Sequence, residues 1–403
     1  MRVFVSAGEP SGDHHAACLV RALRERHPDV ECIGLGGPGL AAAGATLLAD
    51  MTALAVMWFG RALLNLPRFV ELARRAERSF IDRRPDVVVV VDFPGFHWWL
   101  AWRAKRHGIP VVFYCPPQIW AWGSWRVGKL RRLVDHVLAA LPFEHDWFTA
   151  HGVRSTLVGH PFFDAPPPRR APDGAVPLLL LLPGSRRQEI DANLGSLLEA
   201  ARKVRGRIAA VRVVVGALHE RHAALIAARA GTDVEIVAGR SRELMTEAAA
   251  AIAVSGSVSL ELLSARVPTV IVYRISRLAY VVQSFFRHAR WITLVNLLAV
   301  DDPIGPVRPV WRAPVGVPAA DPAALFPEYL AVDDPAPRVA DHVVGWLADP
   351  AARHRTVERL DAVARGVERP GSAARAADAV LAIAWGTTAA VPPPARRSGR
   401  RAA

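Results

Sequence analysis

The sequence predicts an α/β protein of two domains, each built on a mostly parallel sheet. At 403 residues the chain is longer than one ordinary core needs, so two domains of roughly 150 to 200 residues are expected. Short apolar runs such as Val87 to Val91 and Leu178 to Leu182 alternate with helix-length stretches, the pattern of strands covered on both faces. The proline-rich stretch from Asp164 to Pro177 sustains neither helix nor sheet and divides two such series.

In chain order, Val3-Phe4-Val5 reads as a strand, followed by a polar turn and a helix from about His14 to Glu25 whose apolar face is Ala16, Leu19, Val20 and Leu23; together they form a βα unit. Further strands are expected at Val87 to Val91, Val111 to Tyr114 and His136 to Ala140. After the proline-rich stretch come strands at Leu178 to Leu182, Val211 to Val215, Val234 to Val237, Ala251 to Val254 and Thr269 to Tyr273, with helices such as Asn193 to Lys203 and Ser241 to Ala249 between them. Asp341 to Trp385 reads as helical, broken at Pro370-Gly371. The expected divisions are 1–165, an N-terminal α/β domain; 166–177, a linker; 178–345, a C-terminal α/β domain; 346–386, a helical segment; and 387–403, a disordered basic tail.

The formal net charge of +13 suits an acidic partner: nucleic acid, an anionic membrane face or a phosphorylated substrate. Part of the excess lies in the tail, at Arg396, Arg397, Arg400 and Arg401. No nucleic-acid recognition motif accompanies the charge, so nucleic acid is not expected as a partner. The three cysteines have no Cys-x-x-Cys spacing, which argues against a disulfide framework and a zinc site and for a reducing cytoplasm. Val3-Phe4-Val5 gives way to the polar stretch Gly8 to Asp13 too soon for a signal peptide. The most membrane-like stretch, Leu278 to Val300, is interrupted by Arg287, His288 and Arg290 and is not expected to span. Among twelve tryptophans, Trp98, Trp99, Trp102, Trp120, Trp122 and Trp125 cluster with arginines and lysines, a composition suited to a membrane interface or a lipid-lined cleft.

Ligands of open parallel sheets bind at the carboxyl ends of strands. After Leu182, Pro183-Gly184-Ser185-Arg186 offers a flexible turn with amides and a guanidinium suited to a diphosphate. After Val254, Ser255-Gly256-Ser257 opens a helix carrying Glu261, which either accepts from ribose hydroxyls or complements the helix dipole. In the opening loop, Ser11 or Asp13 can cap the first helix and Gly12 gives freedom, while Glu9 stands where it would orient an acceptor hydroxyl. Asp92 closes five apolar residues and is the candidate base, since burial without a partner would be costly. Gln118, Trp120 and Trp122 form an apolar wall with one polar handle, and His160 either touches a phosphate or satisfies backbone groups.

Taken in order, Ala7 to Asp13, Gly36-Gly37-Pro38, Leu54-Ala55-Val56-Met57, Pro85-Asp86-Val87, Trp120-Ala121-Trp122, Leu141-Pro142-Phe143-Glu144, Val158 to Pro161, Leu182 to Arg186, Ser255-Gly256-Ser257 and Asn296 to Ala299 resemble the lipid-A-disaccharide synthase family over about residues 3 to 330. The resemblance implies two facing Rossmann-like domains of GT-B type with C-terminal helices. It also implies inverting, metal-free and cofactor-free transfer of diacylglucosamine from UDP to the 6-hydroxyl of diacylglucosamine 1-phosphate, at the cytoplasmic face of the inner membrane. By the same resemblance Asp92 is the general base. It likewise gives Arg186, Ser255 and Glu261 to the donor, Asn296 to a cleft position, and Glu9, Ser11 and Asp13 to the acceptor side; with the loops read above, the donor side is Gly184, Ser185, Arg186, Ser255, Gly256, Ser257, Glu261 and Asn296, and the acceptor side Glu9, Ser11, Gly12, Asp13, Gln118, Trp120, Trp122 and His160. Closure of the domains would assemble the site and exclude water. Apolar surface for acyl chains is expected around Trp98 to Trp102 and Ala62 to Val70.

The chain departs from the family pattern at His14-His15, Trp58, Gly95 and Ala331, and carries a proline-rich insertion from Asp301 to Ala324. Two other readings compete: a UDP-N-acetylglucosamine 2-epimerase on the same two-domain plan, and a non-catalytic lipid or nucleotide binder, which retention of Asp92 and Arg186 disfavours.

Overall fold

The computed structural model describes residues 1–52, 66–164, 176–231, 234–286, 289–304 and 324–386. The linker proper, Trp58, Leu63, Leu64, most of the 301–324 insertion and the basic tail lie outside them. The chain divides into two compact units, residues 1–165 with 369–403, and residues 166–368.

The first unit holds a seven-stranded sheet of β1 (Arg2–Ala7), β2 (Glu31–Gly36), β3 (Thr46–Asp50), β4 (Val87–Val91), β5 (Val111–Tyr114), β6 (His136–Ala139) and β7 (Ser155–Leu157), in the order 3-2-1-4-5-6-7. Every pairing in it is parallel. All five valines of β4 are buried, and they alternate between two cores. Val87, Val89 and Val91 pack with the first helix, Pro10–Arg26, through Ala16, Leu19, Val20 and Leu23. Val88 and Val90 face the other way, onto helices Leu66–Arg83 and Pro94–Arg106. A strand with no polar face therefore follows from a sheet with helices on both sides.

The second unit repeats the plan with β8 (Leu178–Leu182), β9 (Arg212–Ala217), β10 (Glu235–Ala238), β11 (Ala248–Val254), β12 (Thr269–Arg274) and β13 (Glu328–Ala331), all parallel, in the order 10-9-8-11-12-13. The helix expected over Ser241 to Ala249 ends at Glu247, and Ala248 and Ala249 instead begin β11.

The helical segment expected over 346–386, with its break at Pro370-Gly371, divides between the units at that break. Helices Ala336–Ala348 and Pro350–Val367 belong to the second; Asp349 accepts from the amides of Ala351 (2.9 Å) and Ala352 (3.1 Å) and restarts the helix at Pro350. Helix Ser372–Ala384 packs into the first unit, where Ala376, Ala377, Val380 and Leu381 join the core built on the first helix. Arg26 pairs with Asp378, and Asp164 accepts from Ser372 N at 2.7 Å and Ser372 Oγ at 2.8 Å. Burial of a side chain the size of Val380 or Leu381 contributes about 1.5–3 kcal/mol.

Candidate active site

In each sheet the strand order reverses direction once, between β1 and β4 and between β8 and β11. Loops leaving two such neighbours diverge to opposite faces and leave a crevice between them. Glu9 and Asp92 follow β1 and β4, whose register pairs Ala7 with Val91. The loops at Pro183 and Ser255 follow β8 and β11, paired through Leu182 and Ala253.

Asp92 and Phe93 both adopt left-handed backbone, φ 53° and 47°, a conformation that costs a non-glycine residue on the order of 1 kcal/mol or more. Two bonds hold it. Asp92 Oδ1 accepts from Phe93 N at 2.8 Å, and the Asp92 carbonyl lies 2.6 Å from His97 Nδ1. His97 is fully buried, and burial pushes its pKa down to about 4. The neutral ring donates from Nδ1 to the carbonyl, so Nε2 accepts from Ser6 Oγ at 2.9 Å. Gly95 leaves open space where a side chain would stand. Gly12, in the first turn of helix Pro10–Arg26, passes close beneath Asp92: a Cβ built on it would lie 3.6 Å from that of Asp92.

Among the other acceptor-side residues, Asp13 and Trp120 hold internal hydrogen bonds. Neither Ser11 nor Asp13 caps the first helix, which opens on Glu9 with Pro10 in its first turn. Asp13 is buried, and its carboxylate accepts from Gly37 N (2.6 Å), Gly39 N (2.9 Å) and Leu40 N (3.2 Å). A Cβ at Gly37 or Gly39 would stand within 2.9 or 2.7 Å of Asp13 Oδ2, so the glycines let the backbone close on the carboxylate. Trp120 is buried rather than lining a wall, its Nε1 donating to Glu144 Oε1 at 3.1 Å. Burial pushes Glu144 up to about 7, opposed by Trp120 and the backbone amides. The Trp-Ala-Trp and Leu-Pro-Phe-Glu motifs thus meet in one internal pair. Gln118 is exposed at the start of the short helix that Trp122 ends. His160 Nδ1 accepts from Phe162 N at 3.2 Å, and burial beside His15 pushes its pKa down to about 3.

In the second unit, the amides expected to face a diphosphate carry an internal carboxylate. Glu189 Oε2 accepts from Ser185 N (3.0 Å) and Arg186 N (3.2 Å), and Oε1 from Arg186 Nη1 (3.3 Å). This closes a capping box at the start of helix Arg187–Arg205. Gly184 sits at φ 118°, and a Cβ there would fall 2.5 Å from that of Glu189. Asn193, one turn on, donates to the Glu189 carbonyl and accepts from Arg274 N, each at 2.8 Å, tying the loop to the end of β12. Glu189 was not among the expected site residues, although an acid three positions after a helix cap is the sequence signal for such a box.

On the β11 side, Gly256 and Ser257 are exposed, and Ser255 Oγ donates to the Ile292 carbonyl at 3.1 Å. Glu261 lies in the first turn of helix Val258–Ser264, its pKa raised by burial and held back by Arg242. Asn296, expected on the donor side, is fully buried: Nδ2 donates to the Phe326 carbonyl (2.8 Å) and Glu328 Oε2 (3.1 Å), and Oδ1 accepts from Phe326 N (2.8 Å). With its amide satisfied, it joins helix Leu294–Leu298 to β13. Glu328 also accepts from Ile292 N at 2.8 Å and Thr293 N at 3.1 Å. The expected tryptophan cluster splits as well. Trp98 is buried, whereas Trp99, Trp102 and Trp125 are exposed, with Arg106 over Trp102 at 4.8 Å and Arg126 over Trp125 at 5.5 Å.

Two all-parallel α/β units with candidate loops at their switch points follow the plan of the GT-B fold class. Comparison with known proteins gives the family. A family model described as lipid-A-disaccharide synthetase matches residues 3–304, and the chain belongs to that family. It is 34% identical over 397 residues to the lipid-A-disaccharide synthase of Myxococcus xanthus (strain DK1622), covering 95% of this chain and 97% of that protein. Solved structures similar in fold include the calicheamicin glycosyltransferase CalG4, with TM-score 0.56 at 16% identity over 95% of this chain and 98% of that one. Another is the UDP-GlcNAc 2-epimerase from Neisseria meningitidis bound to UDP-GlcNAc, with TM-score 0.54 at 11% identity over 96% of this chain and 100% of that one. At such identity the epimerase shares the fold alone, whereas the family names the chemistry: the chain is a glycosyltransferase.

Proposed function

We propose that this enzyme transfers 2,3-diacylglucosamine from UDP to the 6-hydroxyl of 2,3-diacylglucosamine 1-phosphate, yielding a β-1,6 disaccharide and UDP with inversion and without a metal. The observation that carries the reading is the Asp92 carboxylate at the β1/β4 switch point, in a left-handed turn fixed by neutral, buried His97. Asp92 takes the proton of the acceptor hydroxyl as its oxygen attacks C1 of the donor sugar. The bond from C1 to the phosphate oxygen breaks, and the charge growing on UDP is met by Arg186 and the amides of Ser185 and Arg186. Glu189, which accepts from those amides, gives way to the diphosphate. Glu261 takes the ribose hydroxyls, with Ser255, Gly256 and Ser257 along the same loop. Glu9, Ser11, Gly12, Gln118, Trp122 and His160 remain the acceptor-side assignments.

The enzyme works as a peripheral protein on the cytoplasmic face of the inner membrane. Support comes from the exposed Trp99, Trp102 and Trp125 with arginines over their rings. Among the described residues no helix is long and apolar enough to cross a membrane. Incubating the purified chain with UDP-diacylglucosamine and the monosaccharide phosphate yields a disaccharide detectable by mass spectrometry. Asp92→Asn lowers its rate by about 10²–10⁴-fold with UDP affinity unchanged. Release of UDP without disaccharide refutes the acceptor assignment, and an active Asp92→Asn enzyme refutes the base.

A further inference from the structure

The transfer reaction leaves unused one surface of the second unit. Helix Arg277–Phe286 follows β12 and so stands at the carboxyl end of the sheet, beside the β11 loop. Leu278 (74% exposed), Val281 (45%), Val282 (48%) and Phe285 (77%) project from it into solvent, while Tyr280 is buried. Their spacing of three, four and seven residues places all four on one face. From Ile275 to Val300 the sequence contains no Asp or Glu, and its charged residues are all arginines. Arg277, at the start of the helix, has a largely exposed side chain 3.9 Å from Asp333. An apolar stripe whose own sequence segment carries arginines and no acid matches the boundary between anionic headgroups and acyl chains. Four side chains offer on the order of 400 Å², about half of the roughly 800 Å² per partner that a stable protein interface buries.

We propose that the face of Leu278, Val281, Val282 and Phe285 inserts into the headgroup–acyl boundary of an anionic bilayer. In this way the second unit carries its own lipid contact in addition to the tryptophans of the first. The inference rests on the peripheral-membrane reading above and names the element that makes the contact.

The test is flotation of the full chain with phosphatidylglycerol–phosphatidylcholine vesicles. The wild type floats, and does so less at high salt or with phosphatidylcholine alone. Leu278→Ser/Phe285→Ser lowers the bound fraction at least about tenfold, and Val281→Ser/Val282→Ser lowers it in the same sense. In both variants UDP affinity and the far-UV circular dichroism are unchanged, as expected for exposed positions. If the wild type floats and both variants float equally well, the helix proposal is wrong while peripheral attachment stands, as a loss on Trp99→Ser/Trp102→Ser would then show. If the wild type does not float, both fail. If the variants turn a dimer into a monomer with flotation unchanged, the face is a subunit contact and the proposal is overturned.

Discussion

His97 Nδ1 donates to the carbonyl of Asp92 at 2.6 Å, and His97 Nε2 lies 2.9 Å from Ser6 Oγ. One buried ring thus connects β1 to the turn that carries the candidate base. His97→Ala strips two buried polar groups of their partner and leaves a cavity, a loss of about 2–4 kcal/mol. Thermal unfolding should begin several degrees lower. Transfer should lose roughly tenfold or more in kcat, because small displacements of a catalytic group are costly, with KM for the UDP-sugar unchanged. His97→Asn, retaining a donor and an acceptor, should recover part of kcat. A change in donor KM alone would contradict the positioning role.

Asp13 accepts three backbone amides of the 37–40 turn. Asp13→Asn directs an NH₂ at N–H donors and should destabilise the chain by about 2–4 kcal/mol, measured as a lower urea midpoint, with UDP affinity preserved. Normal stability with a raised acceptor KM would restore Asp13 to the acceptor side.

Gly184 has a φ of 118° and no room for a Cβ against Glu189. Gly184→Ala should distort the 183–186 turn, weaken UDP binding by about tenfold, the equivalent of 1.4 kcal/mol, and lower the urea midpoint through the strain it adds. Titration calorimetry with UDP decides it; an unaltered Kd would remove this loop from the donor site.

Burial pushes Glu144 up to about 7 from 4.5 and Glu328 likewise to about 7 from 4.5. A carboxyl whose folded pKa exceeds its unfolded value favours folding in its protonated form. Its contribution is complete below pH 4.5 and is lost as pH rises to about 7. Each group accounts for at most about 3 kcal/mol of that decline. The urea midpoint should therefore fall from pH 4.5 toward 7, and Glu144→Gln should flatten part of the slope. An unchanged slope would place the Glu144 pKa near its ordinary value.

The strands of Val87 to Val91 and Leu178 to Leu182 were legible because a continuous apolar run has few other uses, and the loops after them follow from sheet topology. The short strands Thr46–Asp50 and Ser155–Leu157 carry no such run and were not legible. Asp13 reads locally as a cap, whereas its partners lie 24 to 27 residues away, beyond any local capping pattern. A dense aromatic cluster does not reveal which ring finds a buried carboxylate, as Trp120 does with Glu144. Asn296 is given to the donor side by resemblance alone, and its partners, Phe326 and Glu328, come from beyond the 301–324 insertion, where no local pattern points to them.

Helix Ser372–Ala384 completes the core of the first unit, 208 residues beyond the Asp164 side chain that receives it. During synthesis on the ribosome, the opening βα unit must therefore wait with the part of its core that Ala376, Ala377, Val380 and Leu381 cover left open until the whole second unit has emerged. A nascent chain halted near residue 368 should engage chaperones and yield to protease in its first 165 residues, and release of the following twenty should end both.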